Sequence, residues 1–308
     1  MTDSFVDPRL TERRNPRTAE IDRASALEIV DLIAAEDAGV PAAVARARVE
    51  IAQAIDLIED AFRAGGRLLY VGAGTSGRLG VLDAAECPPT FGSDPGMVVG
   101  VIAGGLKALV RSVEGAEDDV NAGMAEMDDQ RVTGRDVVVG IAASGTTPYV
   151  RAALGRAQTL AARTVLVSCS EPPPLLKQTC DVCITVLVGP EVITGSTRMK
   201  AGTATKLVLN TLTTGAMVRL GKTYGNLMVD LRTWNAKLAD RSERILMEAA
   251  GVSRAEAARA LQAAEGRVKP AIVMLRRGVS RAEADRLIEA HKGRLREIVG
   301  DPPLVAAP

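Results

Sequence analysis

Short runs of β-branched and aliphatic residues alternate with helix-like segments through the middle of the chain. The runs lie at residues 68–71, 98–102, 137–142, 165–167 and 182–188, with candidate helices between them at 77–85, 106–113 and 150–161. Strands that alternate with helices in this way predict an α/β fold, with a doubly wound, mostly parallel sheet covered on both faces. Sheets of this class bind ligands at the carboxyl ends of their strands, so the loops that follow the strands are where a site is expected.

The segments on either side of the sheet are predicted to be helical. Apolar residues recur at helical spacing over residues 26–33 and 44–62, and the chain beyond residue 199 keeps a helical pattern. A repeated Ser-x-x-Glu string at residues 253–256 and 280–283 matches a helix capping box. It predicts two helix starts in a small C-terminal helical appendage, whose expected role is packing or dimer support. The predicted organisation is an N-terminal helical arm (1–45), a ligand-binding α/β domain (46–224) and a C-terminal helical region (225–308).

Charge balance and hydropathy argue against two classes of partner. The chain has 38 basic and 38 acidic residues and only three Phe, three Tyr and one Trp, so it has neither a net positive field nor many rings to stack on bases. No nucleic acid partner is expected. No apolar run approaches the roughly 20 residues that span a bilayer. Residues 1–14 are polar and lack the apolar core of a signal peptide. We therefore expect a cytoplasmic protein that has no membrane partner.

The cysteines and the single histidine do not indicate a metal or redox site. Cys180 and Cys183 form a CxxC pair inside a predicted strand, where residues three apart face opposite sides of a sheet. The chain has four cysteines in total, too few for a disulfide scaffold, and one histidine. No metal is therefore expected. His291 lies in a helix of mixed charge, where a packing or solvated role is favoured over contact with a substrate.

Three loops that follow predicted strands or precede a helix share a composition rich in Gly, Ser and Thr. They lie at residues 72–78, 143–147 and 191–197. Glycine lets the backbone approach an anion, hydroxyl groups donate to its oxygens, and a helix N-terminus adds unpaired N–H groups at the positive end of a dipole. These three features together indicate a phosphate site. The alternative is that the hydroxyl groups only cap helices, which is less favoured for three such loops at one end of a sheet.

A dinucleotide site is the main competing interpretation of the first loop. Gly72, Gly74 and Gly77 spell GxGxxG directly after a strand. The full fingerprint also needs an acidic residue about 20 positions later, at the end of a second strand. Here that stretch, residues 88–94, begins with two prolines and is not expected to form a buried strand. The Walker pattern is missing as well, so no nucleotide cofactor is expected.

Longer strings resemble the sugar isomerase (SIS) domain and, more narrowly, the N-acetylmuramic acid 6-phosphate etherase family. The resemblance extends from about residue 11 to residue 300. It is carried by GAGTSGRLG at 72–80, AECPPT at 85–90, VEGAED at 113–118, TGSTRMKAGT at 194–203 and GNLMVD at 225–230. It implies a phosphosugar-binding α/β fold that hydrolyses the lactyl ether of N-acetylmuramic acid 6-phosphate to N-acetylglucosamine 6-phosphate and D-lactate, in the recycling of bacterial cell wall. It also implies that no cofactor is used.

The resemblance also implies which residues act. The glutamate of AECPPT, Glu86, is expected to be the proton donor, and the second glutamate of VEGAED, Glu117, the other catalytic group. The expected substrate-binding residues lie in or next to the three loops: Thr75, Ser76, Ser144, Thr147, Glu191, Ser196, Thr197 and Lys200. The role of Lys200, like that of Arg198, is open between neutralising a substrate anion and forming a salt bridge. Thr146 stands where some relatives have Arg.

Two carboxyl groups suit the chemistry of ether cleavage. An alkoxide leaves badly, so elimination is the expected route. A base removes the C2 proton, which the C1 aldehyde of the open-chain sugar acidifies. Lactate then leaves C3 with help from an acid, and water adds to the unsaturated aldehyde. Glu117 is the candidate base and Glu86 the candidate acid, which burial or a nearby negative charge would keep protonated. The alternative for Glu117 is a first-turn acid favoured by a helix dipole after Gly115.

Geometry raises a difficulty for Glu86. If residues 76–86 form one continuous helix, Glu86 lies about 15 Å along the axis from the phosphate loop, at about 1.5 Å per residue. Either the helix breaks near Gly80 or a second subunit supplies one carboxylate, and the expectation is a homodimer with the active site near its interface. Two competing functions remain open at this point: a phosphosugar aldose-ketose isomerase and a non-catalytic sugar-phosphate-binding regulator.

Overall fold

The computed structural model describes residues 7–231 and 236–304. The chain divides into two compact units, one of Met1–Ala85 with Gly96–Thr213 and one of Glu86–Pro95 with Thr214–Pro308. The predicted domains at 1–45, 46–224 and 225–308 stay predictions. Parts of them, at residues 1–6, 232–235 and 305–308, lie outside the described residues.

The first unit is built on a five-stranded parallel sheet, which confirms the predicted α/β class. Its strands are β1 (Leu68–Gly72), β2 (Val98–Ile102), β3 (Val137–Ile141), β4 (Arg163–Ser168) and β5 (Val182–Thr185), in the order β2-β1-β3-β4-β5. Every residue of β1 and β3 is buried. Burial on both faces explains why these strands read as continuous apolar runs rather than as alternating patterns.

Helices precede, connect and follow the strands. They are α1 (Ala26–Asp37), α2 (Val40–Arg46), α3 (Arg48–Arg63), α4 (Gly74–Phe91), α5 (Lys107–Val110), α6 (Val120–Asp129), α7 (Pro148–Thr159), α8 (Pro174–Thr179) and α9 (Lys200–Arg219). The predicted helix at 106–113 is only the four residues of α5. Short 3-10 turns lie at Leu10–Glu12, Pro16–Thr18, Ile21–Arg23 and Ala116–Asp118.

The two faces of the sheet are covered by different helices. On one face Leu69, Val71 and Val138 pack with residues of α7 in a single buried cluster. On the other face α4 approaches so closely that a Cβ added at Gly80 would lie 2.8 Å from the Cβ of Tyr70, and one added at Gly100 would lie 2.5 Å from the Cα of Val81. Glycine at these two positions is what lets α4 lie against the strands.

Of the two alternatives left open for Glu86, a helix broken near Gly80 does not hold, because α4 is continuous from Gly74 to Phe91 and includes Pro88 and Pro89 near its end. No buried strand was expected at residues 88–94, and these residues form the end of α4 and the loop after it. The last predicted strand is also shorter than expected. It ends at Thr185, and Cys180 precedes it.

The second unit is mainly helical, as predicted, and has its own apolar core. Its helices are α10 (Ala236–Ala250), α11 (Arg254–Ala263), α12 (Val268–Arg277), α13 (Arg281–Ala290) and α14 (Leu295–Val299). Ser253 forms a complete capping box with Glu256, and Ser280 accepts the N–H of Glu283, so both predicted helix starts are confirmed. A small antiparallel hairpin, β6 (Thr223–Tyr224) and β7 (Leu227–Met228), interrupts the predicted helical pattern.

No helix in the described residues combines the length and the apolar character that crossing a bilayer requires.

Candidate functional site

A cavity of about 530 Å³ lies where the loops after β1 and β3 come together in the first unit. Six of the predicted site residues line it: Thr75, Ser76, Glu117, Ser144, Thr147 and Thr197. The other lining residues are Arg9, Glu12, Ala73, Gly74, Asp118, Ile141, Ala143, Thr146, Pro148 and Gly195. The structure thus brings together hydroxyl groups from all three loops and one of the two predicted catalytic carboxylates. Ser196, Glu191, Lys200 and Glu86 are not among the residues that line this cavity.

The first loop places Thr75 and Ser76 in the opening turn of α4. Gly72 ends β1, and a Cβ added there would lie 2.6 Å from the backbone nitrogen of Gly77. One added at Gly77 would lie 2.7 Å from the carbonyl oxygen of Gly72. These contacts allow only glycine, so strand and helix meet closely and the helix starts at the cavity. The first N–H groups of a helix have no partner within the helix and carry a partial positive charge, which suits an anion.

The second loop presents Ser144, Thr146 and Thr147. The Oγ1 of Thr146 lies 3.0 Å from the Oγ of Ser144, which also accepts the Thr146 N–H at 3.2 Å. Gly145 between them has a φ of 73°, the left-handed region that glycine adopts without strain. Thr147 stands at the N-cap of α7, yet its side chain makes no capping hydrogen bond. The interpretation of this hydroxyl as a helix cap therefore does not hold.

The third loop leads into α9, and two predicted site residues, Glu191 at the start of the loop and Lys200 at the start of α9, are not among those that line the cavity. The Glu191 carboxylate accepts the N–H of Lys200 at 3.0 Å and of Ala201 at 2.9 Å, so it caps α9. Burial raises the pKa of Glu191 in spite of these two hydrogen bonds. Lys200 is also buried, and its ammonium group pairs with Glu36. In the described structure these two residues hold the loop, and substrate contact by either of them stays a prediction.

The N-terminal arm supplies two lining residues that the sequence did not indicate, Arg9 and Glu12. The arm lies along the third loop: the Gly195 N–H donates to the carbonyl oxygen of Thr11 at 3.2 Å, and the Thr18 hydroxyl donates to that of Val192 at 2.8 Å. Arg9 itself donates through Nε and Nη2 to Asp7, whose pKa is lowered to about 2 by this guanidinium and by the Arg9 backbone N–H. Residues 7–18 have no hydrophobic periodicity from which a position of Arg9 and Glu12 at the cavity could have been predicted.

Glu117 projects from a 3-10 turn, Ala116–Asp118, that follows Gly115 with a φ of 75°. The next helix, α6, begins at Val120, and its cap is Asp119, which accepts the Ala122 N–H at 2.8 Å. Glu117 therefore lies before the first turn of α6 and does not cap it. Its side chain is exposed at the cavity.

Glu86 lies on α4, and its side chain is exposed. Because α4 is unbroken, Glu86 is ten residues along the helix from Ser76, which is about 15 Å at about 1.5 Å per residue. Of the two ways in which Glu86 was expected to reach a substrate, a broken helix is no longer available. His291 lies elsewhere, in the second unit, with its Nδ1 3.3 Å from a carboxylate oxygen of Glu297.

Comparison with known proteins gives a family match and close relatives. Residues 50–158 match the model of the glucokinase regulatory protein N-terminal SIS domain. The N-acetylmuramic acid 6-phosphate etherase of Yersinia pestis (strain Pestoides F) is 56% identical over 266 residues, which cover 86% of this chain and 90% of that protein. The enzyme of the same name from Yersinia pseudotuberculosis (serotype O:1b, strain IP 31758) has the same identity and coverage.

Solved structures are more distant. A phosphoheptose isomerase from Francisella tularensis has a TM-score of 0.48 and 16% identity, and the match covers 63% of this chain and 98% of that one. The NanR protein of Vibrio vulnificus has a TM-score of 0.45 and 16% identity, and the match covers 66% of this chain and 67% of that one.

Proposed function

This chain belongs to the N-acetylmuramic acid 6-phosphate etherase family, and we propose that it uses the cavity at the ends of β1 and β3 to bind and cleave the substrate for which the family is named. The reaction is that of a carbon–oxygen lyase. β-Elimination and the addition of water remove the D-lactyl ether from N-acetylmuramic acid 6-phosphate and give N-acetylglucosamine 6-phosphate and D-lactate. The physiological setting is amino sugar metabolism during peptidoglycan recycling.

The convergence of the three hydroxyl-bearing loops with Glu117 on one cavity is the observation that carries the proposal. Ser76, Ser144, Thr147 and Thr197 line the cavity with the first turn of α4, and this combination of hydroxyl donors and unpaired N–H groups suits a phosphate dianion. Ser196 does not line the cavity, but it is adjacent to Thr197, which does, and the proposal extends to a contact of Ser196 with the same phosphate group. A cavity of about 530 Å³ is in the range that encloses a small ligand.

Glu117 is the base in this mechanism. With the phosphate on C6 held by the loops, the sugar chain extends along the cavity, and the carboxylate of Glu117 at its border removes the C2 proton of the open-chain aldehyde. The electron pair left at C2 forms the double bond to C3 as the C3–oxygen bond breaks. A positioned base contributes about 10² to 10⁴ in rate.

Glu86 is the acid that protonates the departing lactate oxygen, and a second copy of the chain brings it to the site. Two features support this part of the proposal. The unbroken α4 separates Glu86 from the phosphate loop along the helix, and the same helix face leaves Leu82 55% exposed one turn earlier. A partner subunit that covers this face would bury the leucine and enclose Glu86 between the two chains. The enzyme in this proposal is a homodimer.

A cytoplasmic location fits the same proposal. All four cysteines, Cys87, Cys169, Cys180 and Cys183, are free thiols, as expected where thiols stay reduced.

The experiment that tests the function is product analysis. The purified protein is incubated with N-acetylmuramic acid 6-phosphate in heavy-oxygen water, and both products are identified by mass spectrometry. We expect D-lactate without label and N-acetylglucosamine 6-phosphate with heavy oxygen at C3. Label in lactate would refute elimination, ketose formation would indicate an isomerase, and binding without turnover would indicate a regulator.

A further inference from the structure

A second, smaller cavity of about 170 Å³ adjoins the phosphosugar cavity in the same unit. The two cavities share Ala73, Gly74 and Glu117. The remaining residues of the small cavity are Arg78, Ala103, Ala108, Ser112, Val113, Glu114, Gly115 and Ala116. Glu117 therefore stands at the border between a space lined by hydroxyl groups and a space lined by one cation, small apolar side chains and a second carboxylate.

Arg78 is the only cation among the residues that line the small cavity. Its Nε donates to the carbonyl oxygens of Ala108 at 3.0 Å and Leu109 at 3.2 Å, which fixes the plane of the guanidinium group. In the described ranges, 7–231 and 236–304, no hydrogen bond or ion pair involves its two terminal nitrogens, even though Glu114 and Glu117 line the same cavity. A fixed guanidinium with its terminal donors available matches a carboxylate, which can accept two parallel hydrogen bonds.

The chemistry of the substrate, as given by the proposed function on which this inference rests, has two anionic ends. The phosphate group on C6 is one, and the carboxylate of the lactyl group on C3 is the other. If the phosphate occupies the loops of the large cavity, the reacting carbons C2 and C3 lie beside Glu117. The lactyl arm, which is attached at C3, is then also beside Glu117, and Glu117 lines the small cavity as well as the large one.

We propose that the small cavity is the leaving-group subsite, in which Arg78 binds the carboxylate of the lactyl ether. The methyl group of the lactyl arm packs against the apolar part of the lining, to which Val113, Ala103 and Ala116 contribute. This contact does two things. It orients the C3–oxygen bond for elimination, and it makes the enzyme select the lactyl ether over sugar phosphates that lack the carboxylate.

The test compares two ethers and one product in wild type and Arg78→Gln. The ethers are N-acetylmuramic acid 6-phosphate and its lactamide analogue, in which a neutral amide replaces the carboxylate, and kcat/KM is measured for each. The product is N-acetylglucosamine 6-phosphate, whose inhibition constant reports the phosphate subsite alone. Arg111→Gln is the matched control, because Arg111 is exposed just after α5 and lines neither cavity.

We expect Arg78→Gln to lower kcat/KM for the lactyl ether by about 10- to 100-fold, the loss typical of a charged hydrogen-bonding partner. The lactamide ether, already poor for wild type, should lose less than about threefold, and product inhibition should change less than about twofold. The Arg111→Gln control should match wild type. An equal loss for both ethers and the product, or no loss for the lactyl ether, would overturn the proposal.

A second variant covers the case in which Arg78→Gln fails to fold. Ala116→Leu adds bulk to the lining of the small cavity on the 3-10 turn, without touching the Arg78 backbone contacts. It should lower kcat/KM for the lactyl ether and leave product inhibition unchanged, whereas an unchanged kcat/KM would again refute the subsite. Failure of the proposed function itself is a different result, namely that wild type releases no lactate.

Discussion

The ammonium nitrogen of Lys200 lies 2.5 Å from Oε2 of Glu36, and both side chains are almost completely buried. Arg17 contacts the other oxygen of the same carboxylate, also at 2.5 Å. The pair joins α1 to the first residue of α9, directly after the third loop of the cavity. A lysine that the sequence placed among the substrate-binding candidates thus has a partner inside the first unit.

Glu36→Gln should destabilise the protein by about 3–5 kcal/mol, because the variant leaves the Lys200 ammonium group buried without its counter-charge. Urea unfolding followed by circular dichroism measures the change. Glu171→Gln is the control, since Glu171 makes an exposed ion pair with Lys177 at 3.4 Å, worth about 1 kcal/mol at most. Equal small effects of both substitutions would mean that the buried pair does not stabilise the fold.

The Glu36 carboxylate should also make the free energy of unfolding depend on pH. Burial raises the pKa of Glu36, but hydrogen bonds from Arg17 and Lys200 outweigh burial and bring the pKa from its usual 4.5 to about 2. A folded-state pKa below the unfolded one contributes stability that is complete above about pH 4.5 and is lost as the pH falls toward about 2. The advantage of wild type over Glu36→Gln should therefore shrink on acidification, by about 3 kcal/mol in full. An advantage that stays constant from about pH 6 to about pH 3 would contradict this linkage.

Thr147→Val should weaken substrate binding without a loss of stability. The Thr147 hydroxyl does not cap α7, so its removal should leave the melting temperature unchanged, whereas a lost hydrogen bond to phosphate should raise KM by about tenfold. Asp119→Ala is the control, for which we expect a loss of stability instead of a loss of substrate binding. Its carboxylate does cap α6, and its loss should cost about 1 kcal/mol of stability. A destabilised Thr147→Val with unchanged KM would assign this hydroxyl a structural role.

Glu86→Gln and Glu117→Gln should each lower kcat by about 10² to 10⁴ while leaving inhibition by the product intact. If the two residues of one site come from different subunits, mixing the two inactive variants under subunit exchange creates heterodimers with one intact site. About a quarter of the parental activity should then return. No recovery, after mass spectrometry has verified the exchange, would mean that one subunit supplies both carboxylates or that the second copy is not needed.

Two helical glycines should respond to alanine with opposite signs. A Cβ at Gly123 in α6 would lie 2.3 Å from the carbonyl oxygen of Tyr149, so Gly123→Ala should destabilise by about 1–3 kcal/mol. Gly155 in α7 has open space where its Cβ would be, and Gly155→Ala should stabilise by up to about 1 kcal/mol. Calorimetric melting of both variants checks the pair. Stabilisation by both would show that α6 and α7 are not in close contact at Gly123.

Sequence pattern alone placed the elements of the sheet and the loops that follow them. The runs at 68–71 and 137–142 are nearly the observed strands β1 and β3, because fully buried strands are continuously apolar, and the run at 98–102 coincides with β2. The helix starts at Ser253 and Ser280 could also be predicted from local sequence, because a capping box involves residues only three apart in the chain. Hydroxyl groups of all three loops lie at one cavity, as the carboxyl-end rule for parallel sheets leads one to expect.

Other features depended on contacts between distant parts of the chain. Nothing local marks Arg9 and Glu12 as cavity residues, because the backbone of the third loop holds the arm in place. Lys200 lies in the string at 194–203 and Glu191 in the third loop, yet burial against α1 and at the start of α9 decides what they contact. Hydrophobic periodicity and residue type thus determine which helices and strands form and which functional groups lie in the loops at their ends. Which side chains face the cavity is decided by packing between residues far apart in the chain, and no local pattern encodes it.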